Sequence, residues 1–359
     1  MAEIRVAFAD LADLPGWKKD LSAQSPSRFT VQVSEESPDY TILKWLRRLH
    51  KVTIDGQNPD YVVFSVFGDN VLRFPNAVRI FFTGENIQPD FNICDYAFGS
   101  SWMTFGDRYC RCPFFMLMNQ FDEIRQRRRT NPLEVNVGEK DRFCNFIYSN
   151  ADADPFRDEI FAALNQYQKV DSVGSHLNNC ESRLGPAYHG DWGSEKVRFQ
   201  KRYRFTVAFE NSSTPGYTTE KIVHALAADT IPIYWGNSEI GRDFNTRRFV
   251  NCHEFPNADA VVERVRQIDQ NAGLFSKILA EPFFPDNNIP RSLQDETVLA
   301  QFEHIFSQSK SDAFRRSRFA SGRKYEQRRI RQARAFALLE GRGIVSKFLR
   351  LYSRIFQRS

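Results

Sequence analysis

Residues Tyr203–Asn237, YRFTVAFENSSTPGYTTEKIVHALAADTIPIYWGN, constrain this chain most, because they read as a complete strand, loop, helix and strand with the polar residues gathered at one edge. From Arg204 to Phe209, apolar Phe205, Val207 and Phe209 alternate around β-branched Thr206, which suits a sheet. The turn pair Pro215-Gly216 follows, and Thr218 or Thr219 is placed to cap a helix starting near Glu220. Ile222, Val223, Ala225 and Leu226 give that helix an apolar face, and DTIPIYW (Asp229–Trp235) returns as a short buried strand. Two parallel strands joined by a helix follow. In such units ligands sit beyond the carboxyl ends of the strands, where a helix N-terminus favours anions. Lys221 in the first helical turn runs against the dipole preference for acidic residues, and a compensating anion explains it. The plainer alternative is a solvated Lys221 paired with Glu220. The clustering of Glu210, Asn211, Tyr217, Glu220 and Lys221 favours the anion.

The run FENSSTPGYTTEKIVHALAADTIPIYWG resembles the donor-site signature of the α1,3-fucosyltransferases, in which an FEN element precedes a Tyr-x-Thr-Glu-Lys element and a Pro-containing strand. A second run, RIFFTGENIQPDFNICDYAFG (Arg79–Gly99), resembles the acceptor-side motif of the bacterial, Helicobacter-type members of this glycosyltransferase family 10. The likeness extends through Asp107-Arg108-Tyr109, Ser149–Leu164 and FNTRRFVNCHEF (Phe244–Phe255), and covers roughly residues 60 to 260. It implies an α/β chain with two Rossmann-like domains facing across a cleft, the GT-B arrangement. It also implies GDP-fucose as donor and inverting transfer without a bound metal.

That chemistry needs a base for the acceptor hydroxyl, and Glu85 is the candidate. It follows the strand-like Val78–Phe82 and Thr83-Gly84, where a small residue permits close approach. Alone, a loop glutamate reads as a solvated charge. Departing GDP gains negative charge, so cations aimed at its oxygens stabilise the transition state. Lys221 fits from position, and Arg157, in SNADADPFRDEIFAAL, aligns with an arginine that the bacterial family uses on the phosphates. Glu220 is suited to accept from ribose or fucose hydroxyls, with Asn211 and Tyr217 orienting the nucleotide sugar. Asn86 and Trp102 are acceptor-side candidates. Asp152-Ala153-Asp154 has the Asp-x-Asp form of a GT-A metal site, but beside Pro155 and the following helix it reads as loop and cap. No metal ligand is assigned.

At 359 residues and 42% apolar content the chain suits two cores. The expected division is an acceptor-binding domain over residues 1–138, a GDP-fucose-binding domain over 139–309, and a basic helical tail over 310–359. Strands are expected at Arg5–Ala9, Phe29–Val33, Tyr61–Phe67 and Val78–Phe82, a helix around Thr41–Leu49, and a linker at Thr130–Glu139. The six cysteines show no Cys-x-x-Cys pair, which points to a reduced compartment. The amino terminus lacks a charged region followed by a long apolar stretch, so a bacterial cytoplasmic enzyme is expected.

The last fifty residues carry 15 Lys and Arg against 3 Asp and Glu, net +12, so within an overall +5 the first 309 sum to −7. From Gly343, Ile344, Phe348, Leu351 and Ile355 recur at helical spacing opposite Lys347, Arg350, Arg354 and Arg358. Such a helix suits peripheral contact with an anionic membrane, at the inner face of the cytoplasmic membrane here; the alternative packs it on the body or a second subunit as an oligomer. Nucleic-acid binding by the tail leaves both motifs unexplained, and a non-catalytic sugar-binding scaffold has no support while Glu85, Arg157, Glu220 and Lys221 are all present. Acceptors implied by the resemblance are lactose- and N-acetyllactosamine-type glycans, fucosylated at the 3-hydroxyl, or at both 3- and 4-hydroxyls as the alternative.

Overall fold

A computed structural model describes residues 3–11, 38–127, 140–181, 184 and 192–341. Two parallel sheets form the frame. The first contains β1 (Glu3–Ala9), β2 (Lys51–Ile54), β3 (Tyr61–Phe64), β4 (Val78–Phe82), β5 (Tyr96–Gly99) and β6 (Tyr109–Arg111), in the order β2-β1-β3-β4-β5-β6. The second contains β7 (Arg142–Phe146), β8 (Val170–Ser172), β9 (Tyr203–Phe209), β10 (Ile231–Trp235) and β11 (Val250–Asn251), in the order β11-β10-β9-β7-β8. Strands β3, β4 and β5 are buried at every position, which is why they read as apolar runs rather than alternating ones: helices cover both faces. These are two doubly wound units, as the GT-B expectation requires.

The helices are α1 (Pro38–Leu49), α2 (Asn119–Gln126), α3 (Phe156–Tyr167), α4 (Trp192–Gln200), α5 (Glu220–Ala227), α6 (Ala258–Asp269), α7 (Ala272–Ala280), α8 (Asp295–Ser307), α9 (Lys310–Ala313) and α10 (Ala320–Gly341). One face of the second sheet packs Phe146, Phe205 and Ile233 against α3 and α6 through Ile160, Leu164, Val261 and Val265. The other face does not close on itself. Ile222, Val223 and Leu226 of α5 join the same apolar core as Phe115 and Phe121, which lie after the first sheet. Every residue of α5 except Lys221 is buried, so truncating Leu226 to Ala would cost about 2–5 kcal/mol. The two units therefore share a core.

The chain then returns to the first sheet. In α8, Phe302 packs on Phe98 and Phe306 on Tyr61, each with ring centroids 4.5 Å apart. Beyond it, buried Arg316 pairs with buried Asp95. Glu326 of α10 reaches the fully buried Arg79 at 2.6 Å, and Tyr325 donates to Asp90 at 2.7 Å. Residues 310–341 are thus strapped to the first sheet by ion pairs, which accounts for part of the basic character of that segment. The helical pattern from Gly343, the linker Thr130–Glu139 and the strand expected at Phe29–Val33 lie outside the described residues. The strand expected to reach Phe67 stops at Phe64, because the chain turns there and the Phe67 amide donates to Asp10.

Candidate active site

The βαβ segment forms as its residues predict: β9, α5 and β10, with β9 and β10 in parallel register from Phe205↔Ile231 to Phe209↔Trp235. Both strands end flush, which brings Glu210 beside Gly236, and the Glu210 amide donates to Trp235 O at 2.9 Å. The Glu210 side chain is fully buried and its oxygens accept from the Thr219 amide (2.7 Å), the Thr219 hydroxyl (2.7 Å) and Lys221 Nζ (3.0 Å). Thr219 does stand at the cap position of α5, but its hydroxyl donates to Glu210 and accepts from Lys221 Nζ at 2.7 Å instead of capping a helix amide. A carboxylate buried away from solvent has to be satisfied by protein donors.

Lys221 therefore meets its compensating anions within the protein: Glu210, and Glu220 at 3.6 Å. Burial opposes its charge, yet Glu210 and then Glu220 outweigh that and hold the ammonium well above its usual range. Burial likewise opposes ionisation of Glu220, but Lys221 and then Lys196 bring its carboxyl down to about 2. Tyr217, buried at the foot of the same loop, has its phenol pushed up by burial and by Glu210. The loop can turn here because Gly216 adopts φ +88°, and a Cβ on it would fall 2.5 Å from Ser100 O.

Arg157 comes to this edge from the neighbouring strand. β7 and β9 flank the point where the strand order reverses, and α3 starts just beyond β7. Asp154 accepts from the Phe156 amide at 3.0 Å, so it serves the start of α3 as the loop-and-cap reading requires, and its own amide donates to Asn211 O at 2.9 Å. Asn211, half-buried, ties the Arg157 helix to the end of β9 in this way. The Arg157 side chain is only 1% exposed. Its Nη2 donates to Asn150 O at 2.7 Å and its guanidinium lies 4.7 Å from the Tyr148 ring; among the described residues Nε and Nη1 have no hydrogen-bond acceptor, although Nε is ion-paired with Asp158 at 3.6 Å. Buried donors without acceptors are rare in folded proteins and call for an explanation, which an anionic ligand at this edge would supply.

Across the cleft, β4 delivers Thr83, Gly84, Glu85 and Asn86. Gly84 is required by packing, since a Cβ there would come within 2.7 Å of the Phe114 ring. The Glu85 amide donates to Thr83 Oγ1 at 3.0 Å, fixing the turn. Its carboxylate is exposed and, among the described residues, has no hydrogen-bond or ion-pair partner. Crowding by the protein on one side raises its pKa; Lys221 opposes the shift, and Glu220 and Glu210 add to it. Asn86 spans the cleft, donating to Ser212 Oγ (2.7 Å) and Thr214 Oγ1 (2.8 Å) on the opposite loop. Glu85 and Tyr217 line one small cavity together with Asn86, Ser100, Tyr109 and Thr214.

Trp102 lies at the seam rather than in the open cleft. Arg111 and Arg242 each place a guanidinium 3.6 Å from its ring centroid, covering both faces, so the ring offers only its edge to a sugar. Arg111, at the end of β6, holds fully buried Asp243 through two bonds of 3.0 and 2.6 Å and also donates to Gly216 O at 3.3 Å. The Arg111–Asp243 pair and Lys196 are not among the residues singled out from the sequence. Arg111 and Asp243 are 132 residues apart with no local pattern linking them. Among the described residues no group of three or more His, Cys, Asp or Glu side chains is arranged to hold a metal ion.

Comparison with known proteins agrees with this geometry. Residues 28–118 match the alpha-(1,3)-fucosyltransferase FucT N-terminal domain, and residues 137–280 match the C-terminal domain of glycosyltransferase family 10 (fucosyltransferase). The chain is 31% identical over 260 residues to alpha-(1,3)-fucosyltransferase FucT of Helicobacter pylori, an alignment covering 63% of this chain and 52% of that protein. It is also 31% identical over 136 residues to alpha-(1,3)-fucosyltransferase B of Drosophila melanogaster, covering 36% and 30%. The chain thus spans about half the length of the Helicobacter relative. A solved structure of alpha1,3-fucosyltransferase with GDP-fucose superposes with a TM-score of 0.65 at 26% identity, covering 86% of this chain and 92% of that one. Its counterpart with GDP gives 0.67 at 25% identity, covering 86% and 91%.

Proposed function

This chain belongs to the glycosyltransferase family 10 fucosyltransferases, and from that premise we propose that it moves L-fucose from GDP-β-L-fucose to the 3-hydroxyl of a GlcNAc or Glc residue in a lactosamine- or lactose-type acceptor, with inversion. The observation that carries the reading is the Glu85 carboxylate, without a partner among the described residues, facing the Lys221, Glu220 and Glu210 cluster across the cleft. In this reading Glu85 takes the proton of the acceptor 3-hydroxyl as that oxygen bonds to the anomeric carbon. The bond from the anomeric carbon to the β-phosphate oxygen breaks, and its electron pair leaves with GDP. A base with a raised pKa accepts that proton more readily than an ordinary carboxylate does. Arg157, whose Nη1 has no hydrogen-bond acceptor among the described residues, and Lys221 are the cations that receive the growing phosphate charge. Glu220 and Asn211 serve the hydroxyls of the donor, Tyr217 closes its pocket, and Asn86 orients the acceptor side.

The basic segment completes the proposal. Its arginines at 315 and 316 are consumed by Asp107 and Asp95, and Arg329 pairs with Asp69. The remaining charge, and the apolar residues Phe336 and Leu338 exposed on α10, are the features that would hold the enzyme to the anionic inner face of a bacterial membrane. No helix among the described residues is long and apolar enough to cross a membrane.

The test is direct. Purified protein is incubated with GDP-fucose and lactose, N-acetyllactosamine or its type 1 isomer, and the product linkage is read by NMR. The proposal expects an α1,3 product on the first two acceptors. Absence of transfer to any of the three, or a product linked only through the 4-hydroxyl, overturns it.

A further inference from the structure

One lysine close to this site is buried and unclaimed. Lys196 lies on the inner side of α4, which packs against α5, and it is 5% exposed. Among the described residues its ammonium has neither a carboxylate within ion-pair distance nor a hydrogen-bond acceptor; its recorded contact is the Trp192 ring, 5.1 Å from Nζ. The charged groups of α5 face it: Glu220 first, then Lys221, with Glu210 beyond at the end of β9. His224, one turn along α5, is fully buried against Trp192, and among the described residues neither ring nitrogen is bonded. Burial and the adjacent Lys196 bring its pKa down to about 3, so it adds no charge. On its own helix the charged neighbours Glu195 and Arg198 are exposed, and α2 contributes only the neutral Gln120, 3.4 Å from Ser194.

The charges of this cluster set a problem that Lys196 solves. Lys221 touches two carboxylates, Glu210 and Glu220, so alone it leaves the edge negative where a diphosphate has to sit. With Lys196 the two carboxylates face two ammonium groups and the charges of this cluster balance, while Arg157 stands apart with Asp158 as its own counter-charge at 3.6 Å. We propose that Lys196 is a positioning residue of the donor edge: a second buried cation that offsets Glu220 and frees the charge of Lys221 to act on the diphosphate of the nucleotide sugar. This deepens the fucosyltransferase reading and rests on it. Burial works against the ammonium and lowers its pKa to about 8, only partly restored by Glu220. The balance is therefore lost as pH rises through that value.

The experiment compares GDP with guanosine, which shares the base and ribose but lacks the phosphates. Both are titrated calorimetrically into the wild-type chain, Lys196→Met and Lys196→Arg across neutral to alkaline pH. For Lys196→Met, GDP affinity is expected to fall about tenfold while guanosine affinity holds within about twofold. Wild-type GDP affinity falls as pH rises past the Lys196 titration; the limb disappears in Lys196→Met and moves to higher pH in Lys196→Arg. The double variant Lys196→Met with Glu220→Gln, which restores the charge balance, recovers the GDP-to-guanosine preference. Parallel weakening of both ligands, or an alkaline limb that survives in Lys196→Met, overturns the assignment. If Lys221→Met also leaves the GDP-to-guanosine ratio unchanged, the donor-site reading itself fails, not only the role of Lys196.

Discussion

Two glutamates stand at the carboxyl ends of parallel strands on opposite sides of the cleft, and their surroundings are opposite. Glu210 after β9 is fully buried and filled by two donors from Thr219 and one from Lys221. Glu85, three residues past β4, is exposed, has no partner among the described residues, and has its pKa pushed up by burial on one side. A carboxylate whose lone pairs are taken by its own fold is scaffolding: it locks the start of α5 and the position of Lys221. One whose lone pairs are open, and whose proton affinity is raised, is suited to take a proton from a ligand. The donor edge is built to hold charge still, the acceptor edge to let a proton move.

That contrast can be broken at several points. The largest effect is expected from Glu85→Gln, which keeps size and polarity but removes the base; transfer should fall by about 10²–10⁴-fold in a turnover assay. Next is the seam that keeps the two edges in register. Arg111→Met leaves Asp243 buried and unpaired, and should cost about 3–5 kcal/mol in denaturant unfolding. The conservative change Arg111→Lys should recover part of that loss. A smaller effect is expected on the pH profile. Glu85 must be ionised to act, so activity drops as pH falls through its raised pKa, about tenfold per unit below it, and the acidic limb lies above the range of an ordinary glutamate. In Glu85→Asp that limb should shift with the new carboxylate. The smallest change is expected on removing residues 342–359: turnover on soluble acceptors should stay within about twofold, while co-sedimentation with anionic vesicles falls and becomes less salt-sensitive.

Much of this arrangement was legible along the chain. Strand, loop, helix and strand between Tyr203 and Asn237 are each encoded locally, by alternating apolar residues, Pro215-Gly216 and the apolar face of α5, so their order and parallel pairing follow from short-range chemistry. Glu85 and Arg157 were reachable through the family resemblance of the motifs around them; taken alone, each reads as an ordinary solvated charge at a strand end or helix start. The rest depends on contacts that no local pattern records. Lys196 occupies an ordinary-looking helix, WGSEKVRFQ, and is buried only because α4 is packed on α5. The saturation of Glu210 requires residues nine and eleven positions later to fold back on it. Trp102 is an acceptor-side candidate from the sequence, and only the tertiary structure brings Arg111 and Arg242 each to 3.6 Å from its ring centroid. The placement of α8 on the first sheet, though it follows the second in sequence, is of the same kind.

The division of labour between the edges is tested most directly by GDP binding to Glu85→Gln and Lys221→Met, measured side by side by calorimetry. The account predicts that Glu85→Gln binds GDP within about twofold of wild type, whereas Lys221→Met binds it at least about tenfold more weakly. Equal weakening in the two variants, or a loss confined to Glu85→Gln, would contradict it.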